Sequence, residues 1–268
     1  MSTIQATIRA GIGALALTWL AGCMNPETVT PAVMLPGADP ARPLKKTLVR
    51  LSPDLTLLNL RNQELMALPV GVTALPLLAE IYLDGNPGIA LGDDFGRLQT
   101  LKRLSLDACA LDSVPSVLCK VSSLEYLSLD DNLLTELPSS LGKLTALRVL
   151  SLNRNQIRAL PDSVGSLQAL QVLNLDNNLI LELPATVSGL VALKTLSLAA
   201  NQLTQLPDAV CALPALESLD IRHNRLTRLP DGIGRLGVLK VLTVTGNPLP
   251  RAEMQRVRRE LPHTMIVE

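Results

Sequence analysis

The sequence predicts an α/β solenoid: a curved parallel sheet of short strands along a concave side, with short helical or irregular segments along the convex side. Three observations predict it. Segments such as "LEYLSLDDNLLTELPSSLGKLTA", "LRVLSLNRNQIRALPDSVGSLQA" and "LQVLNLDNNLILELPATVSGLVA" succeed one another with a period of 23 residues. Each unit has seven apolar positions, and through eight full units, Leu55 to Val238, only Gly88 is not Leu, Ile, Val or Phe there. Finally, the 268-residue chain is 47% hydrophobic but only 1% aromatic, so its core must come from aliphatic side chains in a regular arrangement.

The charge balance narrows the function classes. With 24 basic against 24 acidic residues and 18% charge, the chain is too apolar for a disordered protein and too neutral for one that coats nucleic acid.

Residues 1–22 read as a secretory signal. Arg9 is the one charge before "GIGALALTWLAG", an apolar run of signal-peptide length and too short for the roughly 20 residues of a membrane span. Two glycines and the lack of an amphipathic pattern argue against a buried helix. "LAGC", Leu20 to Cys23, resembles the lipobox of bacterial lipoproteins. That resemblance implies cleavage before Cys23 and lipidation of its sulfur; an ordinary cleaved signal is the alternative. A diacylglyceryl group plus an N-acyl chain exceeds the two-anchor requirement for stable membrane residence.

Residues 23–43 form a tether. Five prolines between Met24 and Pro43 and little apolar periodicity favour an extended chain, reaching on the order of 60 Å in polyproline II form. Met24 stands where the retention signal of inner-membrane lipoproteins carries aspartate, so the resemblance favours the outer membrane of a Gram-negative cell. Residues 44–54 are left for an N-terminal cap.

Residues 55–249 hold eight full repeats and a ninth, partial one, each reading LxxLxLxxNxLxxLPxxLxxLxx. They resemble leucine-rich repeats. LxL alternation makes a strand with one buried face and one presented face. The ninth position carries Asn86, Asn132, Asn155, Asn178, Asn201, Asn224 and Asn247, where an amide can satisfy backbone groups of its own and the adjacent repeat. Cys109 takes that place once. Leu-Pro pairs such as Leu137-Pro138 open the convex segment, with proline expected in the first turn of a short helix. Such repeats bury their leucines only against neighbours, so both ends need caps. Residues 250–268 supply the second: Arg251 to Leu261 sets Met254, Val257 and Leu261 on one helical face, and "TMIVE" is a candidate edge strand. A basic membrane-binding helix is the alternative reading of Arg251 to Leu261.

Chemistry has few candidates. His223 and His263 are too far apart in a solenoid to build a catalytic set. Cys119 and Cys211 share a repeat position four units apart, about 20 Å, which excludes a bridge. With no zinc spacing and no phosphate loop, neither metal nor cofactor is expected, and Cys109 reads as a buried hydrophobe.

The presented face carries the candidate binding residues. One step past each strand stand Arg61, Asp84, Asp107, Asp130, Asn153, Asp176, Ala199, Arg222 and Thr245, with Asp131 beside Asp130. Carboxylates about 5 Å apart invite Ca²⁺, but a calcium site needs six to eight convergent oxygens, so the stripe reads as a solvated acidic face. Arg222, His223 and Arg225 make the far end basic. Tyr82 and Tyr126 fall on outward strand positions, either as scattered surface residues or as anchors beside Asp107, Asp130 and Asp131. In the second case a partly basic partner is expected, with Arg154 and Arg222 setting register.

The resemblance to leucine-rich repeat proteins implies a non-enzymatic, monomeric binding module on a membrane anchor, with a protein or envelope polymer as partner and no nucleic acid. Two alternatives are a host-directed effector and a structural envelope lipoprotein. Some bacterial members end in a ubiquitin-ligase domain with a catalytic cysteine, but here no cysteine follows Cys211. Replacing Cys23 by Ser should abolish fatty-acid labelling in cells and move the chain out of the detergent phase. Absence of label on the wild-type protein would refute the lipobox assignment.

Overall fold

The computed structural model describes residues 52–268. The expected signal peptide, Cys23, the tether and most of the N-terminal cap lie outside the described residues.

Nine repeats supply one three-residue strand each: β1 (Leu57–Asn59), β2 (Glu80–Tyr82), β3 (Arg103–Ser105), β4 (Tyr126–Ser128), β5 (Val149–Ser151), β6 (Val172–Asn174), β7 (Thr195–Ser197), β8 (Ser218–Asp220) and β9 (Val241–Thr243). With β10 (Met265–Val267), they form one parallel sheet in chain order. Register is the repeat itself: Leu58 pairs with Ile81, Ile81 with Leu104 and Leu104 with Leu127, so equivalent leucines stack in columns. These central residues are sealed from solvent, and each fully buried leucine contributes roughly 2 kcal/mol.

The asparagine column stitches the stack together. Asn178 Nδ2 donates to the carbonyls of Leu152 in the preceding repeat (2.9 Å) and Leu175 in its own (3.1 Å). Its Oδ1 accepts the N–H of Ile157 from the preceding repeat at 3.0 Å. Asn132, Asn155, Asn201 and Asn224 repeat the pattern, and all are buried. Asn247, against the last repeat, makes the same bonds but is half-buried.

The two irregularities of the sequence, Gly88 and Cys109, prove to be one feature. Cys109 Sγ donates to the Leu83 carbonyl at 3.3 Å, but cysteine has no amide oxygen for the preceding repeat. The Gly88 N–H bonds instead to the Cys109 backbone carbonyl at 2.8 Å. Gly88 adopts φ 77°, a left-handed conformation that costs a glycine little. That delays the chain by one residue, and Ile89, rather than residue 88, enters the core.

On the convex side the expected helices are 3-10 turns, including Ser139–Lys143, Asp162–Ser166, Ala185–Gly189 and Asp208–Ala212. Proline precedes the first turn rather than entering it: Pro138, Pro161, Pro184 and Pro207 are extended caps whose carbonyls accept the first turn bond. Close stacking explains two glycines here. A Cβ on Gly165 would lie 2.3 Å from the Thr186 carbonyl oxygen, and one on Gly189 would lie 2.3 Å from that of Gly165.

The C-terminal cap is α1 (Arg251–Glu260) with Met254 and Val257 buried against the last repeats. Glu253 accepts the Leu229 N–H at 2.8 Å, and Arg256 donates to the Leu229 carbonyl at 2.9 Å while pairing with Glu253 and Glu260. The expected edge strand forms as β10. Among the described residues no helix is long and apolar enough to cross a membrane.

Asn178→Ala should cost about 1–3 kcal/mol, because three buried backbone groups lose their partner. Asp162→Ala, on the exposed convex side, should cost little. Thermal melts of the two variants test this; equal midpoints would contradict the ladder's role.

Candidate binding face

The acidic stripe expected to be a solvated surface is a second hydrogen-bond ladder. Asp107 Oδ1 accepts the Ser128 hydroxyl at 2.6 Å and the Asp130 N–H at 2.8 Å, both from the following repeat. Asp130 takes the Ser151 hydroxyl at 3.0 Å and the Asn153 N–H at 2.6 Å. Asp176 takes the Ser197 hydroxyl at 2.5 Å and the Ala199 N–H at 2.8 Å, and Asp84 likewise takes the Ser105 hydroxyl and the Asp107 N–H. The cause is local: the backbone turns off the sheet at the next residue, so this N–H points back at a side chain in the preceding repeat. Asn153 performs the same service, accepting the Asp176 N–H at 2.9 Å. Ala199 cannot, and Asp220, two residues before Arg222 in the next repeat, substitutes by accepting the Arg222 N–H at 3.1 Å.

The serines of this ladder and Asp220 were not legible as functional residues, since "LSL" and "SLD" look like ordinary strand sequence. The available signal was covariation inside the chain: Ser105, Ser128, Ser151 and Ser197 each follow an aspartate by 21 residues.

Half-burial disturbs the carboxylates. Burial, reinforced by the neighbouring charges of Asp130 and Asp84 and opposed by the Ser128 hydrogen bond, pushes Asp107 up to about 6 from its usual 3.8. Burial also raises Asp130 and Asp220. Asp131, by contrast, is exposed and lies below its usual value because it accepts bonds from Arg154, one of them 2.6 Å long.

Asp131, Arg154 and His223 belong to a left-handed column. Asn62, Gly85, Ala108, Asp131, Arg154, Asn177, Ala200, His223 and Gly246 all have φ between 53° and 75°. Each repeat thus aims one residue sideways along the rim. Gly246 leaves room for the His223 ring, whose Nδ1 would lie 2.4 Å from a Cβ there.

The tyrosines are half-buried rather than freely exposed, and they are not stacked in one column. Tyr82 registers with Ser105, whereas Tyr126 registers with Arg103. Arg61 lies over the Tyr82 ring at 4.3 Å and Arg103 over the Tyr126 ring at 5.2 Å. The Tyr82 hydroxyl donates to Glu80 at 2.8 Å, and burial together with that bond holds its pKa near 12. Arg61 also pairs with Asp84. The result is an interlocked cation–π and ion-pair block across β1 to β4. Beyond it, Val149 and Val172 continue the Tyr126 column as an apolar strip only 6% exposed.

At the other end Arg222 packs its Nε 3.4 Å from Asp220, and His223 and Arg225 are exposed. Cys109, Cys119 and Cys211 are free and buried; burial raises Cys211 to about 11, so its thiolate is scarce at neutral pH. Among the described residues no three His, Cys, Asp or Glu side chains converge as a metal site.

The raised Asp107 carries a stability signature. Its folded-state pKa near 6 exceeds the unfolded 3.8, so ionisation penalises the fold at pH 7.5. That penalty fades as pH falls through 6 and is gone below about 4. Asp107→Asn keeps the acceptor, as Asn153 demonstrates, and should melt about 2–4 °C higher at pH 7.5 with a flatter profile between pH 4 and 6, the gain being limited by solvent screening. An unchanged profile would show that Asp107 does not titrate in this window.

The comparisons with known proteins agree with the geometry. The family model described as leucine rich repeat matches residues 99–157 and 191–249, and the leucine-rich repeat region model matches residues 137–199. No curated protein matches the chain. Among solved structures, a leucine-rich repeat protein of Leptospira interrogans is 33% identical with a TM-score of 0.74, covering 81% of this chain and 55% of its own. The leucine-rich repeat domain of the type III effector XopL is 25% identical, TM-score 0.64, covering 81% of this chain and 77% of its own. Toll of Drosophila, solved as a complex with Spatzle, is 25% identical, TM-score 0.62, covering 73% of this chain and 30% of that one. The chain therefore spans about half the length of the Leptospira protein and less than a third of the Toll chain. Taken together the matched segments run without a gap over residues 99–249, more than half of the sequence, and the chain belongs to the leucine-rich repeat proteins.

Proposed function

We propose that this chain is a non-enzymatic binding module, tethered to the bacterial outer membrane through a lipid on Cys23, whose concave face holds a protein partner. The observation that carries the reading is the state of that face. Its strand-flanking polar groups are satisfied by two inter-repeat ladders, so the surface is rigid before anything binds and little ordering cost remains at association. Leucine-rich repeat folds commonly serve as protein-interaction scaffolds, and Toll was solved holding a protein ligand.

The Arg61–Tyr82 and Arg103–Tyr126 block is the aromatic anchor, with the Asp131–Arg154 pair setting register on the rim. Similarity to the XopL repeat domain favours an effector as the second reading. The mature protein is a monomer in both.

Crosslinking on intact cells, followed by identification of what co-purifies, tests the reading; recovery of a partner only from host cells would favour the effector instead. With a partner in hand, the Tyr82→Ala, Tyr126→Ala double variant should bind at least about tenfold more weakly with an unchanged circular dichroism spectrum. Unaltered affinity would remove the tyrosine block from the interface.

A further inference from the structure

The two charged ends of the concave face differ in how far their groups are already used. Asp84, Asp107, Asp130 and Asp176 each accept a serine hydroxyl and a backbone N–H from the next repeat. Each carboxylate is thereby braced against the next repeat, Asp107 and Asp176 through Oδ1 alone, so a basic partner would share groups that the fold already uses. The basic end is different. Arg225 is exposed and has no ion-pair partner among the described residues, and Arg222, half-exposed, leans on Asp220 only at 3.4 Å.

The adjoining repeats leave this cluster uncompensated. Where repeat eight carries Arg222, His223 and Arg225, the repeat before it has Ala199, Ala200 and Gln202, and the one after has Thr245, Gly246 and Pro248. None is charged and most are small, so the basic side chains stand over a low floor on either side. Asp220, 11% exposed at its side chain and two residues before Arg222 in the same repeat, holds Arg222 and tempers the local charge. That arrangement suits isolated carboxylates, which guanidinium forks bind two-pronged, better than a dense phosphate layer, which Asp220 would repel.

We propose that the eighth repeat is the anionic docking point of the concave face and takes an extended, carboxylate-rich segment of a protein partner lying across repeats seven to nine. This rests on the protein-binding reading above and reverses the charge that the acidic stripe suggests for the partner.

The test uses the full chain in non-ionic detergent with a fluorescein-labelled peptide of alternating Glu and Gly, its Lys–Gly counterpart, and phosphatidylglycerol vesicles. The Glu peptide should bind, weaken as salt rises from about 50 to 300 mM, and bind about tenfold more weakly to the Arg222→Ala, Arg225→Ala variant. Arg225→Ala alone, which leaves Asp220 with its counter-charge, should weaken it several-fold. The Tyr82→Ala, Tyr126→Ala variant should bind it as wild type does. Equal affinity of the arginine variants, preference for the Lys peptide, or arginine-dependent binding of vesicles without binding of the Glu peptide overturns the proposal. The peptide measurement reads this site alone. A crosslinked partner sensitive to the tyrosine variant but not to the arginine variants would leave the wider reading intact and remove this one.

Discussion

Everything in this structure depends on a repeat being unable to complete itself. A three-residue strand and a five-residue turn cannot enclose their own leucines or satisfy their own backbone, so each unit is finished by the next. The asparagine side chain is where that dependence is concentrated. One amide bonds two carbonyls and one N–H across two repeats in a dry interior, where an unpaired group costs more than the bond itself contributes. The aliphatic columns provide the driving force, but they would tolerate sliding; the amide column permits one register.

The same logic extends to the surface. The aspartate–serine ladder uses ionisable groups for the work that a backbone carbonyl does inside a regular sheet. Its cost is visible in Asp107, whose carboxyl is driven up to about 6 because the site that binds it also dries it. It also changes what the face can offer a partner. Acids that look available in a charge map already brace the next repeat, while at the other end Arg222 has only a 3.4 Å ion pair and Arg225 has none among the described residues. The distribution of uncommitted hydrogen-bonding capacity, more than net charge, sets the polarity of the face.

Local exceptions show how tightly the units are coupled. Cys109 lacks the amide oxygen, Gly88 supplies the backbone freedom, and Ile89 moves into the vacated core position. Ala199 interrupts the acidic ladder, and Asp220 closes the gap from the neighbouring strand. In each case the compensating residue lies in an adjacent repeat or two residues along the chain, within reach of the group it rescues.

By itself the sequence determined the solenoid, the strand positions, the asparagine ladder, the C-terminal helix and the edge strand. These follow from a 23-residue period in side-chain volume and polarity, which survives translation into one dimension because each contact is made with the equivalent residue one period away. The signal, lipobox and tether stay expectations of the sequence, since they fall outside the described residues. Only the tertiary structure decided which polar groups were spoken for. Whether Asp107 faces water or a serine, whether Tyr82 is bare or covered by Arg61, and whether residue 88 or 89 enters the core depend on backbone direction at the left-handed turn. That turn is taken by Ala, Asp, Arg, Asn, His and Gly alike, because neighbouring repeats impose it through bonds of their own, so no residue type marks it in the sequence.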